Sequence, residues 1–211
     1  MKKIRCIALL CLLLAGLNVG GKSMKDLLVS MPDSLAPYLD KNLRLEFAEL
    51  QEMGVKAEVK NLLGETSVMD TLTADFLQIR LSRVSTLQMK RLPGVSSGDS
   101  LVCVVKTLAA PEKESELYLF SQDWKPLPDA VNLQDFSESL IQKPDTMSEA
   151  RFLELRAMVE PRMVNALLLP DEDSLVVRLA LPLLSAEDKA AVSAIKMQTK
   201  IKIHENKVKK P

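Results

Sequence analysis

Hydrophobic residues recur every three or four positions in several parts of the chain, a spacing that predicts amphipathic helices. Over residues 41–53, Leu43, Phe47 and Leu50 share one helical face, and Gly54 follows as a typical C-terminal stop. Three further helices are predicted where a serine or threonine provides an N-cap for the turn that follows. The residues that open them are Ser23 (with Asp26 as its capping-box partner), Thr146 and Ser185.

Other stretches alternate between apolar and polar residues, which predicts β-strands with one buried face. In residues 86–92, for example, Leu87 and Met89 alternate with Gln88 and Lys90. The same reasoning, together with short apolar runs bounded by turn residues, gives seven strands. They are predicted at residues 76–82, 86–92, 101–108, 117–120, 164–169, 175–181 and 199–203.

The segment 101–105 is apolar on both faces, which predicts a central buried strand. Cys103 lies within it, so we expect this thiol to behave as a small hydrophobic residue. The charged residues 111–116 are predicted to form the turn that follows. Because such short turns join successive strands, the sheet is predicted to be an antiparallel meander.

One pattern occurs twice: residues 92–102 resemble residues 169–176, each reading as a strand, a Pro- and Asp-containing turn and a stronger strand. This echo indicates two similar β units, arising either from a duplicated hairpin or from the same hairpin chemistry used twice. The predicted fold class is α+β, an antiparallel β-sheet meander with two similar β units and with helices packed on one face.

The first 21 residues have the layout of a secretory signal peptide. A basic start is followed by an apolar run over residues 7–17, with Val19 and Gly21 at the −3 and −1 positions of a cleavage site. The apolar run is too short to cross a bilayer as a helix, which needs about 20 residues. Cleavage after Gly21 fits best, and cleavage after Ser23 is the alternative. We therefore predict a single α+β domain over residues 22–211, periplasmic or secreted, without a transmembrane segment after signal removal.

Composition narrows the partners of the mature chain. The signal carries three of the 28 basic residues, which leaves 25 basic side chains against 28 acidic ones. No strong positive field therefore favours nucleic acid or an anionic membrane, and no nucleic-acid partner is expected. Cys6 and Cys11 are removed with the signal, so no intramolecular disulfide is expected. Lipidation at Cys11 is not predicted, because Leu10 precedes it where a small residue is required.

The residues that usually carry catalysis are scarce. The only histidine is His204, which excludes a multi-histidine metal site within one chain. The glycines are too few and too scattered for a phosphate-binding loop. We therefore predict no catalytic residues, no metal and no cofactor.

The predicted function is that of a non-catalytic binding or interaction protein of the periplasm or cell envelope, whose partner is an unknown envelope protein or a small ligand. The predicted binding residues are Trp124 and Asp123 in an irregular loop, together with Met31 and Tyr38 at the two ends of a Pro-containing segment. Trp124 is chosen because large amphipathic side chains are enriched in binding hot spots. Two alternatives remain open: a hydrolase using a pair of carboxylates, and a carrier of a small apolar ligand.

Several segments, in the same order along the mature chain, resemble a family of small secreted proteins of Bacteroidales defined only as a domain of unknown function. The resemblance implies an envelope or secreted location in a Gram-negative anaerobe, and it implies no activity and no active residues. It is carried by residues 31–35 (MPDSL), 56–61 (KAEVKN), 102–107 (VCVVKT), 123–124 (DW), 182–183 (PL) and 187–188 (ED).

Overall fold

The computed structural model of the protein describes residues 21–94, 100–127, 131–204 and 207–208. Its helices are α1 (Met24–Ser30), α2 (Lys41–Glu52), α3 (Glu149–Ala157) and α4 (Ala186–Val192), with 3-10 turns η1 (Asp33–Leu35) and η2 (Leu133–Phe136). Its strands are β1 (Glu58–Lys60), β2 (Thr66–Leu72), β3 (Phe76–Arg80), β4 (Ser85–Pro93), β5 (Ser100–Ala109), β6 (Lys113–Ser121), β7 (Met163–Leu168), β8 (Ser174–Ala180), β9 (Gln198–His204) and β10 (Lys207–Val208).

The strands form two antiparallel sheets. The larger sheet is a meander in which β1 to β6 lie in chain order, and the smaller has the order β10-β9-β8-β7. The predicted α+β class with two β units is therefore confirmed. The repeated sequence pattern corresponds to the β4–β5 pair in the larger sheet and to the β7–β8 hairpin in the smaller one. The first turn of this pattern is predicted at residues 93–94 and 96–99, and its second part lies outside the described residues.

The larger sheet is covered on both faces. Val102 and Val104 of β5 point into a core shared with the N-terminal helices α1 and α2. Cys103 and Val105, on the opposite face, point into a second core shared with β7, β8, β9, α3 and α4. This double coverage explains why the sequence of β5 is apolar without alternation. The N-terminal helices thus lie on one face, and the second β unit with its own helices lies on the other.

Two of the three predicted helix caps are confirmed. Ser23 opens α1 with a reciprocal capping box to Asp26, as predicted. Asp40 caps α2, and Ser185 caps α4 by accepting a hydrogen bond from the main-chain N–H of Asp188. The prediction for α3 is wrong by two residues, because Ser148 rather than Thr146 is the N-cap.

Two parts of the strand prediction are wrong. Residues 113–116 belong to β6 rather than to a turn, because Ser115 is buried between charged neighbours and continues the alternation into Leu117. Strands β1, β2 and the two-residue β10 were not predicted. Strand β1 has only three residues, and β2 places Ser67 rather than an apolar residue at one of its buried positions.

The predicted half-buried character of β4 is also wrong. Gln88 and Lys90, which the alternation places on a solvent face, are 5% and 1% exposed. The reason is that the smaller sheet covers this face, so both polar side chains lie at the interface between the two sheets.

The outer edge of β7 is paired with side chains instead of another strand. The main-chain N–H of Ala166 donates to Ser115 Oγ (3.0 Å), and that of Leu168 donates to Gln88 Oε1 (3.0 Å). The same two side chains donate to the carbonyl oxygens of Ala166 (3.3 Å) and Leu168 (3.5 Å). Ser115 and Gln88 therefore act as substitutes for a neighbouring strand, which satisfies buried main-chain groups that would otherwise lack partners.

Cys103 is fully buried, and this burial raises the pKa of its thiol to about 12. Since the thiolate is the reactive form, we expect the native protein to resist labelling by dithiobis(nitrobenzoate) near neutral pH. Labelling should proceed after unfolding in guanidinium chloride, which serves as the positive control. Rapid labelling of the native protein would show that Cys103 is accessible and contradict its assignment to the core.

Candidate functional site

An open cleft of about 580 Å³ lies along the outer edge of β6. Its volume lies within the range of about 300–1,000 Å³ that is typical of ligand sites. Strands β4, β5 and β6 contribute its base, and η2 with the residues just before it forms the far wall. The side chains that line it include those of Tyr38, Ser85, Lys106, Leu108, Glu114, Glu116, Tyr118 and Gln134.

Tyr38 is fixed at the rim of the cleft by the segment between η1 and α2. Its neighbour Leu39 is buried in the N-terminal core, which holds the main chain against the sheet. The Tyr38 carbonyl accepts a hydrogen bond from the N–H of Leu62 (3.0 Å), and its phenol lies 3.3 Å from Ser85 Oγ. These contacts leave the half-buried ring on the cleft surface.

Tyr118 supplies the second tyrosine of the cleft. Its phenol donates a hydrogen bond to Glu116 Oε2 (2.8 Å). Burial of the ring, followed by this hydrogen bond, raises the pKa of Tyr118 to about 12, so the phenol is a neutral donor at physiological pH. Lys106 lies directly opposite Glu116 in the β5–β6 register, and the cleft therefore presents both signs of charge beside its aromatic rings.

Polar side chains also tie the cleft to the rest of the molecule. The hydroxyls of Thr107 and Ser115 lie 2.8 Å apart, and Ser115 Oγ lies 3.1 Å from Asn165 Oδ1 on β7. On the far wall, the Gln134 amide donates to Glu114 Oε1 (3.1 Å). The larger sheet, the smaller sheet and η2 are thus held in a fixed relation around the cleft.

Exposed apolar residues border the same end of the sheet. Leu108 (52% exposed) pairs with Ser85 in the β4–β5 register, and the carbonyl of Val84 (44% exposed) accepts a hydrogen bond from the next residue along β5. Leu62 and Leu63, which are 63% and 67% exposed, follow β1 in the turn that is bonded to Tyr38. We call Leu62, Leu63, Val84 and Leu108 the apolar rim.

Trp124 lies beyond the other end of β6. Its ring contacts Phe120 edge-to-face at 5.3 Å, and Phe120 stacks on Tyr118 at 6.2 Å, so one aromatic row connects Trp124 to the cleft. Its indole N–H donates to Ser30 Oγ (3.1 Å). Trp124 has a φ of 60°, a left-handed conformation that is strained for a bulky side chain. The contacts of the ring therefore offset an unfavourable backbone.

The structure separates the four predicted binding residues. Tyr38 lies at the cleft, whereas Asp123 and Trp124 lie past the far end of β6. A strand rises roughly 3.3 Å per residue, so Glu114 and Ser121 are about 23 Å apart. Asp123 is exposed, and its carboxyl accepts a hydrogen bond from Lys22 Nζ (2.7 Å). This hydrogen bond and the positive charge of Lys22 lower the pKa of the Asp123 carboxyl.

Met31 occupies a different environment. Its side chain is 2% exposed within the N-terminal core, and its carbonyl accepts a hydrogen bond from Arg44 (2.7 Å). The Met31 side chain thus contacts the core rather than the described surface.

Sequence reasoning missed most of the cleft. Lys106, Leu108 and Tyr118 come together through the register of β5 and β6 rather than through nearness in the sequence. The scarcity of aromatic residues was the one sequence signal that could have pointed to the cleft. The chain has only two tyrosines and one tryptophan, and both tyrosines line the cleft.

A second depression of about 380 Å³ lies between β8, α4 and the turn before β6. Its side chains are mixed in character, with Lys189 and Glu112 forming an ion pair at 2.5 Å beside Leu181 and Val192. Within the described ranges, no group of three or more His, Cys, Asp or Glu side chains is arranged to hold a metal ion. None of the described helices combines the length and the apolar character needed to cross a membrane.

These features define an α+β protein with two antiparallel sheets and an open cleft at the edge of the larger one. The chain belongs to the family described as "Protein of unknown function (DUF3256)", whose model matches residues 16–206. The predicted membership of a domain of unknown function is thereby confirmed.

A solved structure has a similar fold. It is a domain of an uncharacterized protein from Porphyromonas gingivalis W83, which is 22% identical to this chain and superposes with a TM-score of 0.65. The match covers 84% of this chain and 91% of that one. At this identity the similarity establishes the fold alone. Among curated proteins, no sequence matches this chain significantly.

Proposed function

We propose that the protein is a non-catalytic binding protein of the periplasm or cell envelope, and that it binds a segment of another envelope protein at the cleft. The signal-like N-terminus supports the location. The observation that carries the binding role is the concentration of both tyrosines and the apolar rim at one end of the larger sheet. Exposed apolar groups of this kind, edged by charged residues, are typical of protein interaction sites.

The chemistry of the cleft suits an amphipathic polypeptide. Tyr38 and Tyr118 provide flat apolar surfaces with hydroxyl groups, and tyrosine is enriched in binding hot spots. Lys106 and Glu116 can pair with charges of either sign on the partner. The hydrogen bonds around both rings hold them in place before binding, which lowers the entropic cost of association.

The carboxylate-hydrolase alternative finds less support. Glu114 and Glu116 both line the cleft, but both are exposed to solvent and each accepts a hydrogen bond, from Gln134 and Tyr118 respectively. A general acid is usually held in an apolar environment that favours its protonated form. Where the pKa of a described carboxyl group is shifted, it is lowered. These groups are Asp26, Asp123 and Glu138, and all three lie outside the cleft.

The small-ligand carrier alternative needs an enclosed apolar cavity between the larger sheet and its helices. In the described residues, that space is filled by packed side chains such as Leu28, Phe47, Leu77 and Leu87. Both depressions open to solvent and include charged side chains. A protein partner therefore fits these surfaces better than a buried apolar molecule.

The binding role is tested by photo-crosslinking in cells. A photoreactive amino acid placed at Leu108, in the apolar rim, is expected to capture one envelope protein reproducibly. Leu153 on α3 is the matched control, because its exposure of 53% is close to the 52% of Leu108 while it lies outside the cleft. Adding Tyr38→Ala should reduce the capture at position 108 at least several-fold, since the hot-spot ring is lost.

Two results would contradict the proposal: equal capture at positions 108 and 153, or capture at 108 that Tyr38→Ala leaves unchanged in a folded protein. Trp124 and Asp123 remain predicted contact residues at the other end of the aromatic row. Trp124→Ala, tested in the same way, is expected to weaken capture if the partner extends along β6.

A further inference from the structure

The residues that follow the predicted signal peptide are fastened to the turn after β6. The main-chain nitrogen of Lys22 donates to Gln122 Oε1 (2.5 Å), and the Lys22 side chain donates to the Gln122 carbonyl (3.0 Å) and to Asp123 Oδ1 (2.7 Å). Arg91 also donates to the Lys22 carbonyl (3.1 Å). Four hydrogen bonds thus hold a single residue that lies next to a predicted cleavage site.

Gly21 marks the point at which this close contact begins. A Cβ atom at position 21 would lie 2.7 Å from Gln122 Oε1, closer than such contacts allow. The Gln122 side chain therefore occupies the space beside the Gly21–Lys22 peptide bond and points its oxygen at the Lys22 nitrogen. In the intact chain this nitrogen is an amide with one proton. After cleavage it is an ammonium group with three protons and a positive charge.

The two candidate cleavage sites have different consequences for these contacts. Cleavage after Gly21 keeps all four hydrogen bonds of Lys22 and makes the one to Gln122 charge-assisted, which strengthens it. Cleavage after Ser23 removes Lys22 altogether. It also removes the N-cap of α1, whose hydroxyl accepts from the N–H of Asp26 (3.1 Å) and whose N–H donates to Asp26 Oδ2 (3.2 Å).

We propose that the mature protein begins at Lys22 and that the turn formed by Gln122 and Asp123 is a binding site for the new α-amino group. Lys22 then presents two cationic groups, the α-ammonium and the side-chain ammonium. Gln122 Oε1, the Gln122 carbonyl and Asp123 Oδ1 receive them. This inference rests on the proposed export of the protein, because without signal cleavage the α-amino group does not exist.

The first test is the N-terminus of the protein made from its full-length gene in a Bacteroidales host, measured by intact mass and N-terminal sequencing. We expect a chain that starts at Lys22. A start at Met24, or at any other processed position, would overturn this inference while leaving export intact. An unprocessed chain starting at Met1 would overturn both export and this inference. A lipid-modified start at Cys11 would overturn this inference alone.

The second test asks whether the turn recognises the ammonium group itself. Gln122→Ala is introduced into a protein that starts at Lys22 and into one that keeps Gly20 and Gly21 before it. The loss in melting temperature should be roughly 2–4 °C larger in the chain that starts at Lys22, because only that chain loses a charge-assisted bond. Lys25→Ala, which removes an exposed ion pair to Glu52, is the control and should act equally in both chains. Equal losses from Gln122→Ala would overturn the proposed site.

Discussion

Replacing Lys90 with alanine is expected to lower the free energy of unfolding by about 3–5 kcal/mol. The Lys90 ammonium is buried between the two sheets, where it donates to the carbonyl oxygens of Leu169 (3.0 Å) and Pro170 (2.6 Å). Asp75 and Asp173 lie 4.0 and 3.7 Å away. Alanine leaves both carbonyls without this donor, opens a cavity and removes the only cation between two carboxylates in this part of the described structure.

The measurement is equilibrium unfolding in urea, followed by circular dichroism. Lys60→Ala on β1 is the control, because this lysine is exposed and its loss should change stability by less than about 0.5 kcal/mol. Lys90→Met, which restores much of the volume, separates packing from polar contacts. A Lys90→Ala variant as stable as Lys60→Ala would show that the two sheets do not depend on this side chain.

Replacing Arg44 with alanine is expected to cost a similar amount, about 3–5 kcal/mol. Arg44 is 2% exposed, whereas the other charged side chains of α2 are exposed to solvent. Its guanidinium donates to the carbonyls of Met31 (2.7 Å) and Leu39 (2.8 Å) and to Asp33 Oδ1 (2.8 Å). These contacts hold the segment between α1 and α2 on the sheet, and that segment carries Tyr38.

Urea unfolding again provides the measurement, with Arg151→Ala as the matched control. Arg151 also lies on a helix, but it is about half exposed and pairs with Glu154 on the surface, so its loss should cost less than about 1 kcal/mol. Arg44→Ala should also weaken crosslinking at position 108, because Tyr38 loses its support. Equal stability losses from Arg44→Ala and Arg151→Ala would contradict the structural role of Arg44.

The sequence predicted most elements well because local chemistry decides them. The period of hydrophobic residues places α2 within one residue of its observed range, and Ser23 and Ser185 cap their helices as expected. Local chemistry could not predict that Gln88 and Lys90 are buried. Their alternation with Leu87 and Met89 is typical of side chains that face solvent. They are buried because the smaller sheet packs on this face, which the local sequence does not indicate.

The candidate site shows the same division between local and long-range information. Tyr38 was predicted from its segment, but its neighbours Lys106 and Tyr118 are brought to it by strand register. The left-handed backbone of Trp124 had no sequence signal either, since glycine or asparagine normally occupies such a position. Phe120 contacts it across the turn that follows β6, whereas Ser30 lies on α1, 94 residues earlier in the sequence.

The side-chain pairing along β7 bears on aggregation through strand edges. An exposed strand edge can recruit the edge of another chain and start aggregation. Here Gln88 and Ser115 occupy the main-chain groups of Leu168 and Ala166, so this edge of β7 offers those N–H groups to no other molecule. The same few hydrogen bonds therefore join the two sheets and occupy this strand edge. A change that separates the two sheets would also expose unpaired main-chain N–H groups on β7, which could then pair with another chain.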